Sequence, residues 1–339
     1  MPRNLLTDVA GISVGHTGDL ALASGVTAIL FDQPAVASVS VLGGAPGDRQ
    51  TRMLDPEMTV QAVDAIVLSG GSSFGLDAAG GVQAALREQG RGLLFGGVRV
   101  PVVAQAIIFD LANGGDKQWG RFPPYLEAGH AAAGAAGTDF ALGTAGAGIG
   151  ATTATVKGGL GSASTVTRHG HTVAALAVVN AVGSPLIGDG PWFWAAPCEQ
   201  GREFGGRGWP ASFDLSPRLK GTPGTSTTIG LVATDATLTK PQAARLAIMA
   251  NDGLARALLP AHAPLDGDTI FAAATCQRPL ADPVRELTEL GHAATLVMAR
   301  AIARGVFEAS ALPFPGALPA WKDQFDVPLS APNRGGEAG

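Results

Sequence analysis

The chain has 339 residues, a formal net charge of −5, 46% hydrophobic residues and five scattered lysines. This balance argues against nucleic-acid binding, because phosphate contacts need clustered lysine and arginine, and no run of about 18 apolar residues could span a membrane. The first residues lack the apolar core of a signal peptide, and two cysteines are too few for a disulfide scaffold. We therefore expect a single cytoplasmic α/β domain over 1–339, with no metal and no cofactor.

Short β-like runs alternate with helices that are rich in small residues. Apolar, β-branched runs predict strands at 25–31, 35–42, 65–69, 100–103, 173–179 and 227–233, and a turn that enters a strand at 266–271. Small-residue runs predict helices at about 76–87 and 127–136. This order predicts sheets packed between helices.

Two long helices dominate the last third of the chain. The first begins with a capping box, in which Thr239 is the N-cap and Gln242 occupies the third position. The second begins at Asp282 and Pro283, an N-cap followed by proline at the first helical position. Gly305 is the predicted end of this second helix.

One polar segment, residues 199–226, breaks the pattern with glycine and proline throughout. A structureless loop longer than about 15 residues is uncommon inside a compact domain and is either functional or disordered. We expect 199–226 to be a mobile linker and 313–339, which has a similar composition, to be a tail. The linker enters the strand at Thr227 without an intervening turn.

Thr227 at the start of a strand suits self-cleavage. Cutting between Ser226 and Thr227 would divide the chain into 1–226 and 227–339 and place a hydroxyl and an α-amine on one residue. The reference pKa of an α-amine is about 7.7–8.0, so this amine can act as a general base near neutral pH. The alternative is an ordinary strand threonine, and the hydroxyl run 225–228 leaves the position open by one residue.

Four further side chains are candidates for the same chemistry. Lys157 is a single cation in a long tract of small uncharged residues, where it could lower the pKa of an amine or stabilise developing negative charge. Asn180 ends an apolar run and could donate to an oxyanion, although asparagine also marks turns. Asp266 and Asp268 are two apart, so on a strand they share a face and could bind the α-amine. The alternatives are a surface lysine and an ordinary turn.

A rival motif lies at 71–75, which matches G-x-S-x-G between a strand and a helix. That context is typical of a nucleophile elbow with Ser73 as nucleophile. Its triad requires a later acid and histidine, for example Asp266 and His292. The alternative is a glycine-rich turn that lines a pocket.

Several ordered motifs resemble those of the DmpA/NylC peptidase family, at 7–16, 43–47, 68–76, 227–235, 253–257 and 266–268. The resemblance covers about residues 5–310. The family contains L-aminopeptidase/D-amidases, β-peptidyl aminopeptidases and nylon-oligomer endohydrolases. It implies an α-β-β-α sandwich of the DmpA type, similar to N-terminal-nucleophile hydrolases but with different connectivity. It also implies self-cleavage and assembly of the processed heterodimers into homotetramers or larger forms.

The resemblance assigns roles to individual side chains. It implies the nucleophile, the tuning cation, the amide and the acidic pair at Thr227, Lys157, Asn180, Asp266 and Asp268. It also implies a substrate pocket at Phe74, Ser72 and Gln105. A threonine nucleophile with an Asp-x-Asp pair is similar to the nylon-oligomer branch, whereas aminopeptidase members commonly use serine with Ser-x-Glu.

Three positions depart from the family patterns. Gln105 stands where aminopeptidase members carry a glutamate for the substrate amine, so recognition of a free amine should weaken. Ser226 stands where the nylon branch often has asparagine, and Phe74 stands where it has tyrosine.

The resulting hypothesis is a self-cleaving N-terminal-threonine amidase or peptidase acting on small peptides or aminohexanoate oligomers, assembled as a homo-oligomer. Four alternatives stay open. They are an aminopeptidase acting on N-terminal residues, a serine hydrolase using Ser73, an acyltransferase of the ornithine-acetyltransferase type, and a non-enzymatic oligomer.

Overall fold

The computed structural model describes residues 2–221 and 226–326 of the chain. The strands are β1 (Ile12–Asp19), β2 (Ser24–Val41), β3 (Asp48–Arg49), β4 (Ala62–Ser69), β5 (Leu93–Phe95), β6 (Val98–Val100), β7 (Val103–Ile107), β8 (Gly159–Val166), β9 (Thr172–Asn180), β10 (Thr227–Ala236) and β11 (Thr269–Arg278). The α-helices are α1 (Ala78–Glu88), α2 (Tyr125–Gly134), α3 (Lys240–Ala257), α4 (Pro283–Phe307) and α5 (Trp321–Phe325). Within these described ranges, no helix is long and apolar enough to cross a bilayer.

One long strand, β2, joins the two halves of the main sheet, whose order is β3-β7-β4-β2-β11-β10-β9-β8 with β1 also paired to β2. The first part of β2 pairs with β1 and β4, and the part after Ala35 pairs with β11. The register shifts between Leu30 and Ala35. Side chains from both halves meet in one core cluster, so the two halves face each other.

Alternate side chains of each strand pack into different core layers, as expected for a strand buried on both faces. Ile66 and Leu231 point into the cluster between the sheet halves. Their neighbours Val67 and Val232 point outward, the first toward α1 and α2 and the second toward α3 and α4. The layers are therefore helix, sheet, sheet and helix, which confirms the predicted fold class.

The helix starts follow the predicted caps, but one predicted end is wrong. The Thr239 side chain accepts from the Gln242 N–H at 3.4 Å, while Gln242 Oε1 accepts from the Thr239 N–H at 2.8 Å, which completes the capping box. Helix α4 continues past Gly305 to Phe307. A Cβ on Gly305 would lie 2.8 Å from the Gly161 nitrogen, so this glycine permits close contact between α4 and β8 and does not end the helix.

The described part of the predicted linker, 199–221, contains no helix and no strand. It nevertheless packs on the body: Glu203 binds Arg300 at 2.5 Å, and Phe204 is buried. Residues 313–326, assigned to the tail, include α5 with a buried Trp321. Residues 222–225 of the linker, Thr225 of the hydroxyl run, and 327–339 of the tail lie outside the described residues.

Candidate active site

Strand register brings the predicted catalytic residues to one end of the sheet. Thr227 begins β10 and pairs with Asn180, the last residue of β9. Gly159 of β8 pairs with Val179 of β9, so Lys157 lies just beyond the same end. All three positions are buried.

The acidic pair reaches the same end from β11, which runs parallel to β10. Asp268 Oδ1 accepts from the Thr228 N–H at 2.7 Å, and its Oδ2 accepts from the His262 N–H at 2.9 Å. Asp266 forms an isolated parallel bridge with Ser226. The Asp268 carboxylate and the main chain of Asp266 therefore contact the residues that adjoin the Ser226–Thr227 peptide bond.

Asp266 carries an unusual charge environment. Burial, and then the nearby charge of Asp268, raise the pKa of the Asp266 carboxyl to about 6. Its Oδ2 accepts from the Ala263 N–H at 3.1 Å, whereas its buried Oδ1 has no hydrogen-bond partner among the described residues. An open acceptor on a buried carboxylate is a place for an N–H or ammonium group, because leaving it unpaired costs free energy.

Thr227 is 4% exposed and lies against the peptide bond that precedes it. Its Oγ1 donates to the carbonyl oxygen of Ser226. On the other side it packs on Gly267, where an added Cβ would stand 2.9 Å from Oγ1. A hydroxyl in this position is next to the carbonyl group that self-cleavage would attack.

Lys157 is held inside the protein by main-chain oxygens. Its Nζ donates to the carbonyl oxygens of Gly148 at 2.9 Å and Gly158 at 2.8 Å. Burial lowers the pKa of Lys157 to about 7; the Asp110 carboxylate opposes this shift and the Lys220 ammonium adds to it. Such a lysine is partly neutral at physiological pH.

Asn180 has its side-chain amide fixed by several contacts. Its Oδ1 accepts from the Thr152 N–H at 3.0 Å and from Lys220 Nζ at 3.1 Å. Its Nδ2 donates to the Phe109 carbonyl oxygen at 3.1 Å. Because Nδ2 is engaged with a main-chain oxygen here, donation to an oxyanion stays a prediction.

Sequence reasoning missed two charged residues of this region, Asp110 and Lys220. Asp110 accepts from the Gly71 N–H and from Ser24 Oγ, both at 2.7 Å, and burial raises the pKa of its carboxyl. Both residues line a cavity of about 320 Å³ together with Lys157. The rest of its wall consists of Phe109, Ala112, Asn113, Gly114, Thr152 and residues 312 and 314–318.

The predicted substrate-pocket residues cluster around the turn before α1. Phe74 is 49% exposed and meets Trp119 edge to face, with ring centroids 5.6 Å apart. Ser72 has a φ of 52°. Gln105 is fully buried, and its Nε2 donates to the Gly75 carbonyl oxygen at 2.6 Å. The wall of the 320 Å³ cavity includes none of the three, and their roles toward substrate stay predictions.

The sequence model of peptidase family S58 matches residues 4–316 of this chain. The chain belongs to peptidase family S58. An uncharacterized aminopeptidase of Mycobacterium bovis is 42% identical to this chain over 350 residues. The match covers 95% of this chain and 98% of the Mycobacterium bovis protein. An uncharacterized aminopeptidase of Mycobacterium leprae is 40% identical over 353 residues, covering 94% and 96%.

Solved structures show the same fold at lower identity. A beta-aminopeptidase of Burkholderia sp. has a TM-score of 0.70 at 22% identity, covering 94% of this chain and 90% of its own. The L-aminopeptidase D-Ala-esterase/amidase of Ochrobactrum anthropi, a variant of the Ntn hydrolase fold, has a TM-score of 0.67 at 20% identity and covers 93% and 89%. The S58 chain is therefore a hydrolase of peptide bonds on an Ntn-hydrolase-like scaffold, which confirms the predicted family and enzyme class.

The structure does not bring together Ser73 and His292, the example nucleophile and base of the rival triad. Ser73 lies in the turn before α1, in the helical layer formed by α1 and α2. His292 is exposed on α4, which packs with α3 on the opposite outer layer. Both sheet halves separate the two side chains, so they cannot exchange a proton.

Proposed function

We propose that this S58 peptidase cuts itself between Ser226 and Thr227 and then uses Thr227 as an N-terminal nucleophile on small amide substrates. The observation that carries the proposal is the contact of Thr227 Oγ1 with the carbonyl oxygen of Ser226. The bridge between Ser226 and Asp266 supports it, because it brings the main chain of an acidic residue alongside Ser226.

Self-cleavage follows from this contact in two steps. Thr227 Oγ1 attacks the carbonyl carbon of Ser226, the C–N bond breaks, and the hydroxyl proton passes to the departing nitrogen. The product is an ester between Ser226 and the Thr227 side chain, with a free α-amine on Thr227. Water then hydrolyses the ester, which leaves a carboxylate on Ser226 and restores the hydroxyl. The β-branched side chain limits χ1 and so holds Oγ1 in place.

Turnover reuses the same atoms. The new α-amine accepts the proton of the Thr227 hydroxyl as it attacks a substrate amide, and then donates it to the leaving nitrogen. The open Oδ1 of Asp266 is the acceptor that would hold this amine. Lys157, whose charge interacts with Asp110 and Lys220, is the candidate cation for lowering the amine pKa, and Asn180 is the candidate oxyanion donor.

Two substrate types follow from the relatives and from the residue pattern. The cavity of about 320 Å³ is lined by Lys157 and Lys220 but not by Thr227, so its volume does not set the substrate size. The Mycobacterium relatives are named aminopeptidases, which favours release of N-terminal residues from short peptides. The Thr227 and Asp-x-Asp pattern favours the nylon-oligomer type, with aminohexanoate oligomers as substrates.

We also propose that the processed heterodimers form a homo-oligomer such as a tetramer. The hairpin of β5 and β6 exposes large apolar side chains, with Leu94 at 58%, Phe95 at 62% and Val98 at 57%. Exposed apolar patches of this kind are typical of subunit contacts. Light scattering of the purified protein tests this assembly.

Intact mass spectrometry tests the proposed nucleophile. The wild-type protein is expected as two species with the break before Thr227, and the Thr227→Ala variant as one uncut, inactive chain. Thr228→Val is the matched control, since it removes the adjacent buried hydroxyl at nearly constant volume. A cut Thr227→Ala protein, or an active enzyme that is unbroken at this bond, would refute the proposal.

Paired substrates separate the two substrate types. A short peptide and an aminohexanoate dimer are each offered with a free and with an acetylated amine. Hydrolysis only of the free-amine forms indicates an aminopeptidase, whereas hydrolysis of the acetylated oligomer indicates internal amide cleavage.

A further inference from the structure

Lys220 belongs to the segment ahead of the proposed cut, yet its side chain reaches the candidate active site. Its main-chain N–H donates to the Val182 carbonyl oxygen at 2.8 Å, just beyond the end of β9. Its Nζ donates to Asn180 at two points, Oδ1 at 3.1 Å and the main-chain oxygen at 3.3 Å. Asn180 is the register partner of Thr227. Lys220 therefore braces the strand position directly opposite the nucleophile.

The segment that carries Lys220 is held on the body ahead of that residue. Phe204 is buried, and Trp209 Nε1 donates to the Phe193 carbonyl oxygen at 3.2 Å. These contacts fix the path of the chain as it approaches the site. Arg218 pairs with Asp189 at the surface, where both side chains are exposed, and an exposed ion pair of this kind contributes little.

The charge of Lys220 also fits a need that exists only before cleavage. Asp266 and Asp268 are neighbouring buried carboxylates, and like charges at such a site disfavour ionisation of both. In the cut enzyme the α-ammonium of Thr227 would balance them. In the uncut chain that nitrogen is a neutral amide, and Lys220 is the cation whose charge acts on Asp266.

We propose that Lys220 is a positioning residue for self-cleavage, which in its charged form orients Asn180 and balances Asp266 until the α-amine of Thr227 is released. This inference rests on the proposed self-cleavage. The atoms that react are those of Ser226 and Thr227, and Lys220 acts through the residues that surround them.

The rate of self-cleavage should depend on the protonation of Lys220. Burial lowers the pKa of Lys220 to about 7, with Asp266 opposing that shift. The charged form is therefore lost as the pH rises through about 7. The charges of Asp266 and Lys157 act on Lys220 itself. Beyond them, Asp110 acts on Lys157, Asp268 acts on Asp266, and His262 contacts Asp268.

The test is a pulse-chase measurement of self-cleavage. Full-length protein is made by cell-free translation, and the fragments are quantified during a chase at about pH 5.5 to 9.5, a range that brackets the Lys220 pKa of about 7. The variants are Lys220→Met, which removes the charge, and Lys220→Arg, which keeps it at every pH because guanidinium is always protonated. Arg218→Met is the matched control, since it removes a cation from the same segment at the surface.

We expect Lys220→Met to slow self-cleavage by about tenfold, the effect of losing one charge-assisted hydrogen bond. Lys220→Arg should cut, and the ratio of its rate to the wild-type rate should rise with pH above about 7. A merely structural role would leave that ratio flat. Arg218→Met should behave as wild type.

Three results overturn the inference while leaving self-cleavage intact. They are a wild-type rate in Lys220→Met, a Lys220→Arg rate as low as that of Lys220→Met, and a pH-independent ratio for Lys220→Arg. The pH dependence of the Lys220→Arg rate relative to the wild-type rate still tests the inference if Lys220→Met fails to fold. If the wild type and Arg218→Met also stay uncut, the proposed self-cleavage itself is wrong, and this inference falls with it.

Discussion

Replacing Gly267 by alanine should slow self-cleavage by displacing the Thr227 hydroxyl. The added Cβ would stand 2.9 Å from Oγ1 and 3.1 Å from Cγ2 of Thr227, and 3.1 Å from the Ala45 carbonyl oxygen. Ordinary carbon contacts are about 3.5 Å or longer, so something must move by roughly half an ångström. The Ala45 oxygen is main chain, and therefore the Thr227 side chain is the group that yields.

The size of the effect follows from that displacement. A side chain turned about 30° from its rotamer costs about 0.5–1.5 kcal/mol, and a misplacement of about 1 Å can cost about 100-fold in rate. We expect self-cleavage of Gly267→Ala to be about tenfold slower. The φ of Gly267 is outside the left-handed region, so the change in the free energy of unfolding should stay within about 1 kcal/mol.

A pulse-chase gel of full-length chain and fragments measures the rate, and urea unfolding of the Thr227→Ala background measures stability. Gly134→Ala is the matched control, because an added Cβ at that site meets nothing within 4 Å. If Gly267→Ala cuts as fast as Gly134→Ala, the position of Oγ1 against the Ser226 carbonyl does not govern the reaction.

Three further predictions concern charge and capping. Asp268→Asn removes the like charge that raises the pKa of Asp266, so the acidic midpoint of the self-cleavage rate should fall below about 6; an unchanged midpoint contradicts this. Lys157 has a folded pKa of about 7 against about 10.4 in an unfolded chain. The unfolded chain therefore binds more protons between these values, and the free energy of unfolding should rise with pH there, by up to about 1.4 kcal/mol per pH unit. Urea unfolding at several pH values should show a smaller slope for Lys157→Met, and an equal slope contradicts the burial argument. Thr239→Ala breaks the capping box with Gln242 and should cost about 1 kcal/mol in urea unfolding without changing self-cleavage, so a slower cut would indicate a wider role for this helix.

Local patterns predicted most elements because the buried strands are continuous apolar runs. There are several exceptions: β1 and β8 were not predicted, and the strand predicted at 100–103 falls between β6 and β7. In β2, Asp32, Gln33 and Pro34 suggested a break between two strands. These three residues are exposed, yet the strand continues through them. The part before Asp32 pairs with β1 and β4, and the part from Val36 onward pairs with β11. That long-range pairing, which no local pattern encodes, overrides the turn signal.

Candidate-site residues that lie in or beside a recognisable sequence pattern were predicted. Those that lie in segments without such a pattern were missed. Thr227 and the acidic pair stand at strand starts, and register alone brings them together. Lys220 lies in a polar loop whose composition indicates nothing about where it docks. Asp110 follows a short strand in a stretch that carries no motif. Both become visible only because chain segments distant in sequence meet at the cavity.

The proposed mechanism requires the acidic pair and the lysines together. Two carboxylates beside a new α-amine would raise its pKa above the reference value of about 7.7–8.0, and an amine that stays protonated cannot accept a proton from Thr227. Lys157 opposes that shift with a positive charge that is itself only partly present near pH 7. The acids therefore hold the amine in place while the buried cation keeps it able to release its proton. Removing the cation should move the amine's working range to higher pH, and removing one acid should move it lower. Opposite displacements of the turnover profile in Lys157→Met and Asp266→Asn would separate this electrostatic balance from a simple loss of packing, which lowers the rate without moving the profile.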